Sequence, residues 1–527
     1  MSVSIFIIVF AVAVVFNLAV MLKYDMQMMQ QNSYRNERYI KWFKQSCDSV
    51  NMHRLLLMVC LMAGGSTLFQ SSPYVQIIIA IALVCNAVSV LRKKSKKPLV
   101  FTKRVRRLYF GTLLFSAAAM AVVAAFTKES VYSAALMALG IAAFSYLATM
   151  SVNWLLKPVE KSINNSFVND AKRLLAGMPG MKVVGITGSY GKTSTKHYLN
   201  RILSEKYSVL MTPGSYNTPM GVVRTVREMM QPYNDLFIVE MGAKNIGDIK
   251  EICDIVHPQM GIVTAVGAQH LESFKTIENV QRTKFELVDA LPADGFAVVN
   301  NDFQYVANRE VSNVECKRYS VGENSTGDYK AVNIQYSAQG TSFTIVGEGR
   351  SIDLTTKLVG ECNISNLMAA VIMALKLDVP EQKIKYAVSK IEQVEHRLNV
   401  KRTASGITII DDAFNSNPDG SRMALDVLAG MKGGKRIVIT PGMIELGDKQ
   451  KHFNKLFGEH IAETCDVAIV VGQYNREAIL EGIKAKGMPA DAVKVADTFA
   501  QAQQMMLGFA KAGDTVLYEN DLPDTFK

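Results

Sequence analysis

The residues with the clearest chemical potential lie in one short turn, Gly188-Ser189-Tyr190-Gly191-Lys192-Thr193-Ser194. Glycines let backbone N–H groups close on phosphate oxygens, a lysine reaches the β- and γ-phosphates of a nucleotide, and the next hydroxyl can ligate Mg²⁺. The turn follows Val183-Val184-Gly185-Ile186-Thr187, which reads as a buried strand, and opens a helical stretch to about Leu203. A helix N-terminus adds positive potential at the same place. The spacing departs from the common G-x-x-x-x-G-K-[ST], because Ile186 stands five residues before Gly191; what is present is the shorter T-G-x-x-G-K-T. A glycine-rich turn alone can be purely structural. A lysine and a threonine placed after a strand favour phosphate binding.

Farther on, Asp235-Leu236-Phe237-Ile238-Val239 reads as a strand that ends in Glu240. An acid at the C-terminal edge of such a strand lies where open α/β sheets bind ligands, and it suits a magnesium ligand or the orientation of its water. Met260–Val266 is another expected strand, followed by His270-Leu271-Glu272, with Lys284 14 residues after His270. Taken singly, His270 is more often a satisfied polar residue, and Lys284 more often a solvated charge.

In this order the segments resemble the Mur ligase family, the ATP-dependent amide-forming enzymes of peptidoglycan synthesis, and within it the branch that adds D-alanyl-D-alanine. The resemblance runs from about Met181 to Leu517. Thr212-Pro213-Gly214-Ser215-Tyr216-Asn217-Thr218 resembles the family's T-P-G-N-x-N, and Val239-Glu240-Met241-Gly242-Ala243 its E-[LM]-G-A. Gly360-Glu361-Cys362-Asn363-Ile364-Ser365-Asn366 is similar to G-x-H-N-x-x-N, with Cys362 in place of histidine. Asp411-Asp412-Ala413-Phe414-Asn415-Ser416-Asn417-Pro418 resembles D-D-x-Y-N-A-N-P, and Gly442-Met443-Ile444-Glu445-Leu446-Gly447 resembles G-D-M-x-E-L-G.

The resemblance implies two-step chemistry, in which ATP phosphorylates a carboxylate and an amine then attacks the acyl phosphate. It implies nucleotide contact by Gly188, Ser189, Tyr190, Gly191, Lys192, Thr193, Ser194, Asn363, Asn366, Arg397 and Asp412, with Asp412 at the ribose and Asn363 and Asn366 at the adenine. It also implies two Mg²⁺ ions, held by Thr193 and Glu240 and by His270 and a carbamylated Lys284, and a catalytic group of Lys192, His270, Lys284 and Arg397. The implied partners are an acid substrate, small, lipid-linked or polymeric, and an amino-acid or dipeptide amine. The last strand region runs Tyr518-Glu519-Asn520-Asp521-Leu522-Pro523-Asp524, where the D-Ala-D-Ala-adding branch has a K-G-S-R-type segment.

The first third is of another kind. Between Met1 and Ser162 there are 18 Lys and Arg against 5 Asp and Glu, so the whole chain's +11 resides there. Its basic residues separate apolar runs, the pattern of membrane topology and not of nucleic-acid binding. Five such runs are expected as transmembrane helices: about Ser4–Leu22, Leu55–Phe69, Tyr74–Leu91, Tyr109–Phe126 and Val131–Leu156. The second is short and carries Gly64 and Gly65. Loop 23–54 holds six Lys and Arg and loop 92–107 nine, including Arg92, Lys93, Lys94, Lys96 and Lys97, against Lys128 alone in the opposite connections. The positive-inside rule then places the basic loops and everything after Lys157 in the cytoplasm. No Lys or Arg precedes Lys23, so the first run reads as a retained helix.

The expected architecture is therefore an N-terminal transmembrane helical region (1–156), a linker (157–180), an α/β P-loop central domain (181–395) and a Rossmann-like C-terminal ligase domain (396–527). Membrane lipids are expected partners and nucleic acid is not. Hydrophobic residues at 49% and charged residues at 20% exclude a disordered or coiled-coil chain. Seven cysteines without a C-x-x-C pair indicate neither a zinc site nor a disulfide framework. Besides a cell-envelope ligase, the pattern admits a poly-γ-glutamate-type synthetase, an ATP-driven transporter or an inactive scaffold. The transporter reading lacks an L-S-G-G-Q signature, and the scaffold reading leaves the intact site residues without a reason.

Overall fold

The structure, a computed structural model, describes residues 5–45, 49–93, 97–127, 130–322, 326–337, 340–413 and 416–522. Lys94, Lys96, Lys128, Phe414, Asn415, Pro523 and Asp524 lie outside the described residues. The chain divides into two compact units, Met1–Asn164 with Leu522–Lys527, and Asn165–Asp521.

The first unit is helical. Of the apolar runs, three form helices long and apolar enough to cross a membrane, Ile5–Gln31, Pro73–Arg92 and Lys103–Ala125. A fourth arises if Val131–Ala143 and Ser145–Ala176, bent by 82° at their break, count as one span. The second run yields a helix of 16 residues, Ser49–Gly64, and a separate short turn, Thr67–Ser71. Sixteen residues rise about 24 Å, less than a hydrocarbon core of about 30 Å. Phe10, Val14, Leu18, Leu83 and Leu139 pack inside, whereas Val12, Ile78 and Leu114 face outward at 64%, 65% and 72% exposure.

One cluster of polar side chains is buried inside this unit, although Arg54 Nε, Gln76 Oε1 and Thr149 Oγ1 find no partner among the described residues. Arg54 donates to Asp25 at 2.5 Å, to Ser145 Oγ at 2.8 Å and to the Ala143 carbonyl at 3.3 Å. Tyr39 donates to Asp25 at 2.6 Å, and Ser145 Oγ to its other oxygen. Arg54 thus takes up a carbonyl released at the helix break beside Phe144. Ser145 is the sole polar residue next to that break, so composition alone did not reveal it. The stretch expected as a linker continues the helix to Ala176.

The described residues of the second unit form fifteen strands in two sheets. They are β1 (Lys182–Thr187), β2 (Val209–Met211), β3 (Leu236–Glu240), β4 (Met260–Val263), β5 (Phe296–Asn300), β6 (Glu315–Val321), β7 (Tyr329–Ser337), β8 (Gly340–Gly347), β9 (Arg350–Thr356), β10 (Asn399–Arg402), β11 (Thr408–Asp412), β12 (Arg436–Thr440), β13 (Val467–Val471), β14 (Val493–Ala496) and β15 (Thr515–Glu519). The first sheet runs β2-β3-β1-β4-β5-β6-β7-β8-β9, parallel through β7 and closed by an antiparallel meander. Fully buried β3, β4 and β5 are near-continuous apolar runs because helices cover both faces of a parallel sheet. Helices Lys192–Leu203 and Glu361–Lys376 contribute Leu199, Ile202, Leu367 and Ile372 to one face; Val239, Phe285 and Val288 fill the other. The second sheet runs β10-β11-β15-β12-β13-β14, all parallel except the β10–β11 pair.

Candidate nucleotide and metal site

The strand β1 ends at Thr187 and the helix begins at Lys192, so the glycine-rich turn lies on the strand-to-helix junction. Two glycines are required there. A Cβ on Gly188 (φ +150°) would stand 2.1 Å from Thr264 Oγ1, and one on Gly191 (φ +80°) 2.3 Å from Asn366 Oδ1. Thr264 Oγ1 donates to the Tyr190 carbonyl, and Ser189 closes the turn through its N–H to Ala265 O at 2.8 Å and its hydroxyl to Gly267 O at 3.2 Å. The conformation of the turn is thus set by the end of β4.

Lys192 folds back over this turn, its Nζ donating to Gly188 O at 2.6 Å and Ser189 O at 3.2 Å. Burial pushes its ammonium down to about 8, with Glu240 opposing the fall and Arg397 adding to it. Among the described residues its hydrogen bonds go to these two carbonyls, which leaves a part-buried cation at the turn able to take an anion. Thr193 Oγ1 donates to Glu240 Oε1 at 3.1 Å, and Asn217 Nδ2 donates to the same oxygen at 3.0 Å. Burial works to raise the Glu240 carboxyl, but the charges of Lys196 and Lys192 hold it below its usual value. A hydroxyl and a carboxylate side by side, next to a phosphate cradle, form the sparse oxygen set that suits Mg²⁺, which keeps waters and takes substrate phosphates as its other ligands. That donor set fits the metal. Among the described residues no group of three or more His, Cys, Asp and Glu could hold a metal ion without such outside ligands.

His270 and Lys284 are placed differently. Nδ1 of His270 contacts Glu445 Oε2, while Lys244 Nζ donates to both oxygens of that carboxylate at 2.7 and 3.1 Å. His270 (φ 53°) and Glu445 (φ 63°) both occupy the left-handed region, a strained pairing of the kind found at ligand clamps. Burial lowers the His270 imidazole, with Glu445 opposing, and the His270 and Lys244 contacts hold Glu445 far below the usual carboxylate range despite its burial. Lys284, expected as a surface charge if not a ligand, is 1% exposed, with the charges of Asp248 and Glu286 acting on it. Burial drives its ammonium well below the ordinary value, and Lys192 adds to the fall.

Beside the turn opens a cavity of about 1070 Å³, walled by Tyr190, Gly191, Ser194, Asn363, Asn366, Arg397 and Asp412 among others. Tyr190 rests edge-on against Phe303, ring centroids 5.2 Å apart. Asn363 is anchored from behind: its Oδ1 accepts from Tyr198 at 2.8 Å and its Nδ2 donates to Val359 O at 2.8 Å. Asn366 Oδ1 accepts from Thr195 at 3.3 Å. Burial lifts the Asp412 carboxyl to about 6, against Arg397 and an N–H from Leu398 at 3.1 Å. The sequence-expected residues thus divide into one group around Lys192 and Glu240 and one around the cavity, with His270 held apart by Glu445 and Lys284 buried by itself. Lys196, Lys244 and the acid of Glu445 were not singled out as site residues. Lys196 had a usable signal, one helical turn beyond Lys192; Glu445 lay in a recognised segment, but its partner stands 175 residues earlier.

Two family models match the second unit. Residues 186–374 match the Mur ligase middle domain, and residues 396–518 the Mur ligase, glutamate ligase domain. The UDP-N-acetylmuramoyl-tripeptide--D-alanyl-D-alanine ligase of Mycobacterium bovis is 32% identical over 371 residues, covering 66% of this chain and 71% of that protein. The Bacillus subtilis ligase of the same name is 29% identical over 54% of this chain, and the chain spans 61% of that relative's length. A crystal structure of MurF from Acinetobacter baumannii superposes with a TM-score of 0.61 at 27% identity, over 67% of this chain and 77% of that one. The chain belongs to the Mur ligase family.

Proposed function

We propose that the protein is a membrane-attached, ATP-dependent, ADP-forming amide ligase that activates a carboxylate as an acyl phosphate and passes it to an amino-acid or dipeptide amine in cell-envelope synthesis. The observation that carries this reading is the meeting of Lys192, Thr193 and Glu240 on one strand-to-helix turn, beside a cavity large enough for a nucleotide and walled by Arg397 and Asp412.

In this reading the turn amides and Lys192 release their internal carbonyl contacts and stabilise charge on the transferring phosphoryl group. Asn363 and Asn366 face the base, Asp412 the ribose, and Arg397 the phosphates. Thr193 and Glu240 hold one magnesium ion. His270, oriented through Nδ1 by Glu445, and Lys284 hold a second. Bound magnesium supplies neutralisation between two anionic reactants. Lys284 contributes an acid once its neutral amine adds CO₂, forming a carbamate and releasing one proton; burial outweighs the opposing charges of Asp248 and Glu286 and favours the neutral amine this addition needs.

Three outward-apolar helices support a membrane address, and the basic loops favour a cytoplasmic side for the ligase domains. The relatives' names point to a UDP-linked muramyl tripeptide and D-Ala-D-Ala as the first substrate pair to try. The end of β15, Glu519-Asn520, departs from the K-G-S-R-type segment, which makes a lipid-linked or polymeric acid the second. The test is ADP release with product mass analysis by detergent-purified protein, using UDP-linked and lipid-linked muramyl peptides with D-Ala-D-Ala and single amino acids. Amide formation coupled to ADP is expected with one pair; ATP turnover without a new C–N bond for any pair overturns the ligase reading.

A further inference from the structure

Lys196 stands one turn beyond Lys192 on the same helix, and its side chain is 0% exposed. Its ammonium lies 3.0 Å from Oε2 of Glu240, itself 1% exposed, and donates to the Gly214 carbonyl at 2.5 Å. The other carboxylate oxygen, Oε1, accepts from Thr193 and Asn217, and the Glu240 N–H donates to Thr212 Oγ1 at 3.1 Å. The two oxygens of Glu240 therefore have separate company: one faces a buried ammonium, the other the hydroxyl next to the phosphate cradle. Thr212, Gly214 and Asn217 all belong to the segment before helix Pro219–Met229, so Lys196 and Glu240 together fasten that segment to the phosphate-binding helix.

Enclosing an ammonium is costly, and a well-packed apolar residue at such a place is often at least as stable as a buried ion pair. Stability alone therefore does not call for a lysine here; a fixed geometry does. We propose that Lys196 is a positioning residue that clamps Oε2 of Glu240 and the Thr212–Thr218 segment, so that Oε1 is presented beside the Thr193 hydroxyl to a divalent cation. This rests on the reading of Thr193 and Glu240 as a metal site. A distinguishing sign follows from charge. The positive Lys196 repels a nearby cation, so if it acted on the metal through charge alone its removal would tighten Mg²⁺ binding. If it acts by holding the carboxylate, its removal weakens Mg²⁺ binding.

The experiment is calorimetric titration of ADP into the full-length protein in detergent, in EDTA and at increasing Mg²⁺. For Lys196→Met the Mg²⁺-free ADP affinity should stay within about twofold, because loop amides and Lys192 carry the phosphates. The Mg²⁺-dependent gain in affinity should fall about tenfold or more, the usual scale for a residue that orients a ligating group. An unchanged or larger gain overturns the proposal. Glu240→Gln separates the two layers: if it keeps the full gain, the metal reading itself fails, whatever Lys196 does. Should Lys196→Met lose its cooperative melt, Lys196→Arg carries the test. Arginine keeps the charge but, as a planar fork, cannot make the same two contacts, so the gain should still drop about threefold or more. Full retention in that variant overturns the proposal.

Discussion

Lys284 and Lys192 are lysines with opposite duties in the proposed mechanism, one a neutral amine and the other a cation, and they make different predictions. Lys192→Ala should leave the melting profile close to that of the parent and lower amide formation by ~10²-fold or more, the cost of losing a preorganised charge contact. Near-normal rates would remove the phosphate role. Lys284→Ala should be nearly inactive and partly restored by acetate, which can occupy the place of the carbamate, whereas Lys284→Arg should not be restored by charge. Full activity in either variant returns Lys284 to a packing role. Burial also gives Lys284 a signature in stability. In CO₂-free buffer the unfolded chain keeps the lysine proton up to about pH 10.4, while the folded chain releases it well below that. Between those limits the unfolded state binds more protons, so stability rises with pH. Lys192, pushed down to about 8, adds to the same slope. The rise in Tm between about pH 7 and 9 should therefore be smaller in Lys284→Met than in the parent; an equal rise would show that Lys284 titrates normally. At this scale the sequence was most readable where chemistry depends on near neighbours, as in Gly188–Ser194. It was less readable for Lys196, whose spacing one turn beyond Lys192 hints at the site but whose partner Glu240 lies on a separate strand.

Strand edges and helix starts explain why these side chains converge. β1, β3 and β4 are adjacent and parallel, so the phosphate turn, Glu240 and Thr264 emerge at one end of the sheet. That much was foreseeable from apolar runs ending in polar residues. The His270–Glu445 contact was not, since it joins the turn before helix Leu271–Phe274 to the loop after β12, and no local pattern links them. It leads to a prediction about the loop. Glu445→Gln removes the anion that orients His270 and pairs with Lys244, so activity should fall about 10- to 100-fold while Mg²⁺-free ADP affinity holds. If both fall together, Glu445 is holding the fold and not the imidazole. The 82° break beside Phe144 was equally hidden, because a single serine, Ser145, is the sole polar residue next to it and such a residue is common within an unbroken span.

The whole molecule couples a helical unit to a Mur ligase unit in one chain. If the helices retain the acid substrate near a cytoplasmic leaflet, deleting residues 1–156 should preserve ATP binding and abolish turnover of a membrane-associated acid. Retained kcat/KM on a soluble UDP-linked peptide would instead make the helices a plain anchor. The basic loops bear on the same question, since each Lys or Arg near an anionic leaflet contributes ~1 kcal/mol of attraction.

The Asp25–Arg54–Ser145 cluster also sets an order of construction. The ribosome delivers Asp25 first, on helix Ile5–Gln31; Arg54 follows on Ser49–Gly64, and Ser145 comes last. Leaving one partner of a buried ion pair uncompensated costs roughly 3–5 kcal/mol, and the third helix to emerge finds its counter-ion already made. Ser145 then joins both charges as the chain bends at Phe144. Synthesis in sequence order is therefore assembly in energetic order, and a chain lacking the acid stalls with an orphan cation. Asp25→Leu should show this as rapid loss of newly made protein in a pulse-chase. Normal persistence of that variant would mean that the order of insertion does not matter.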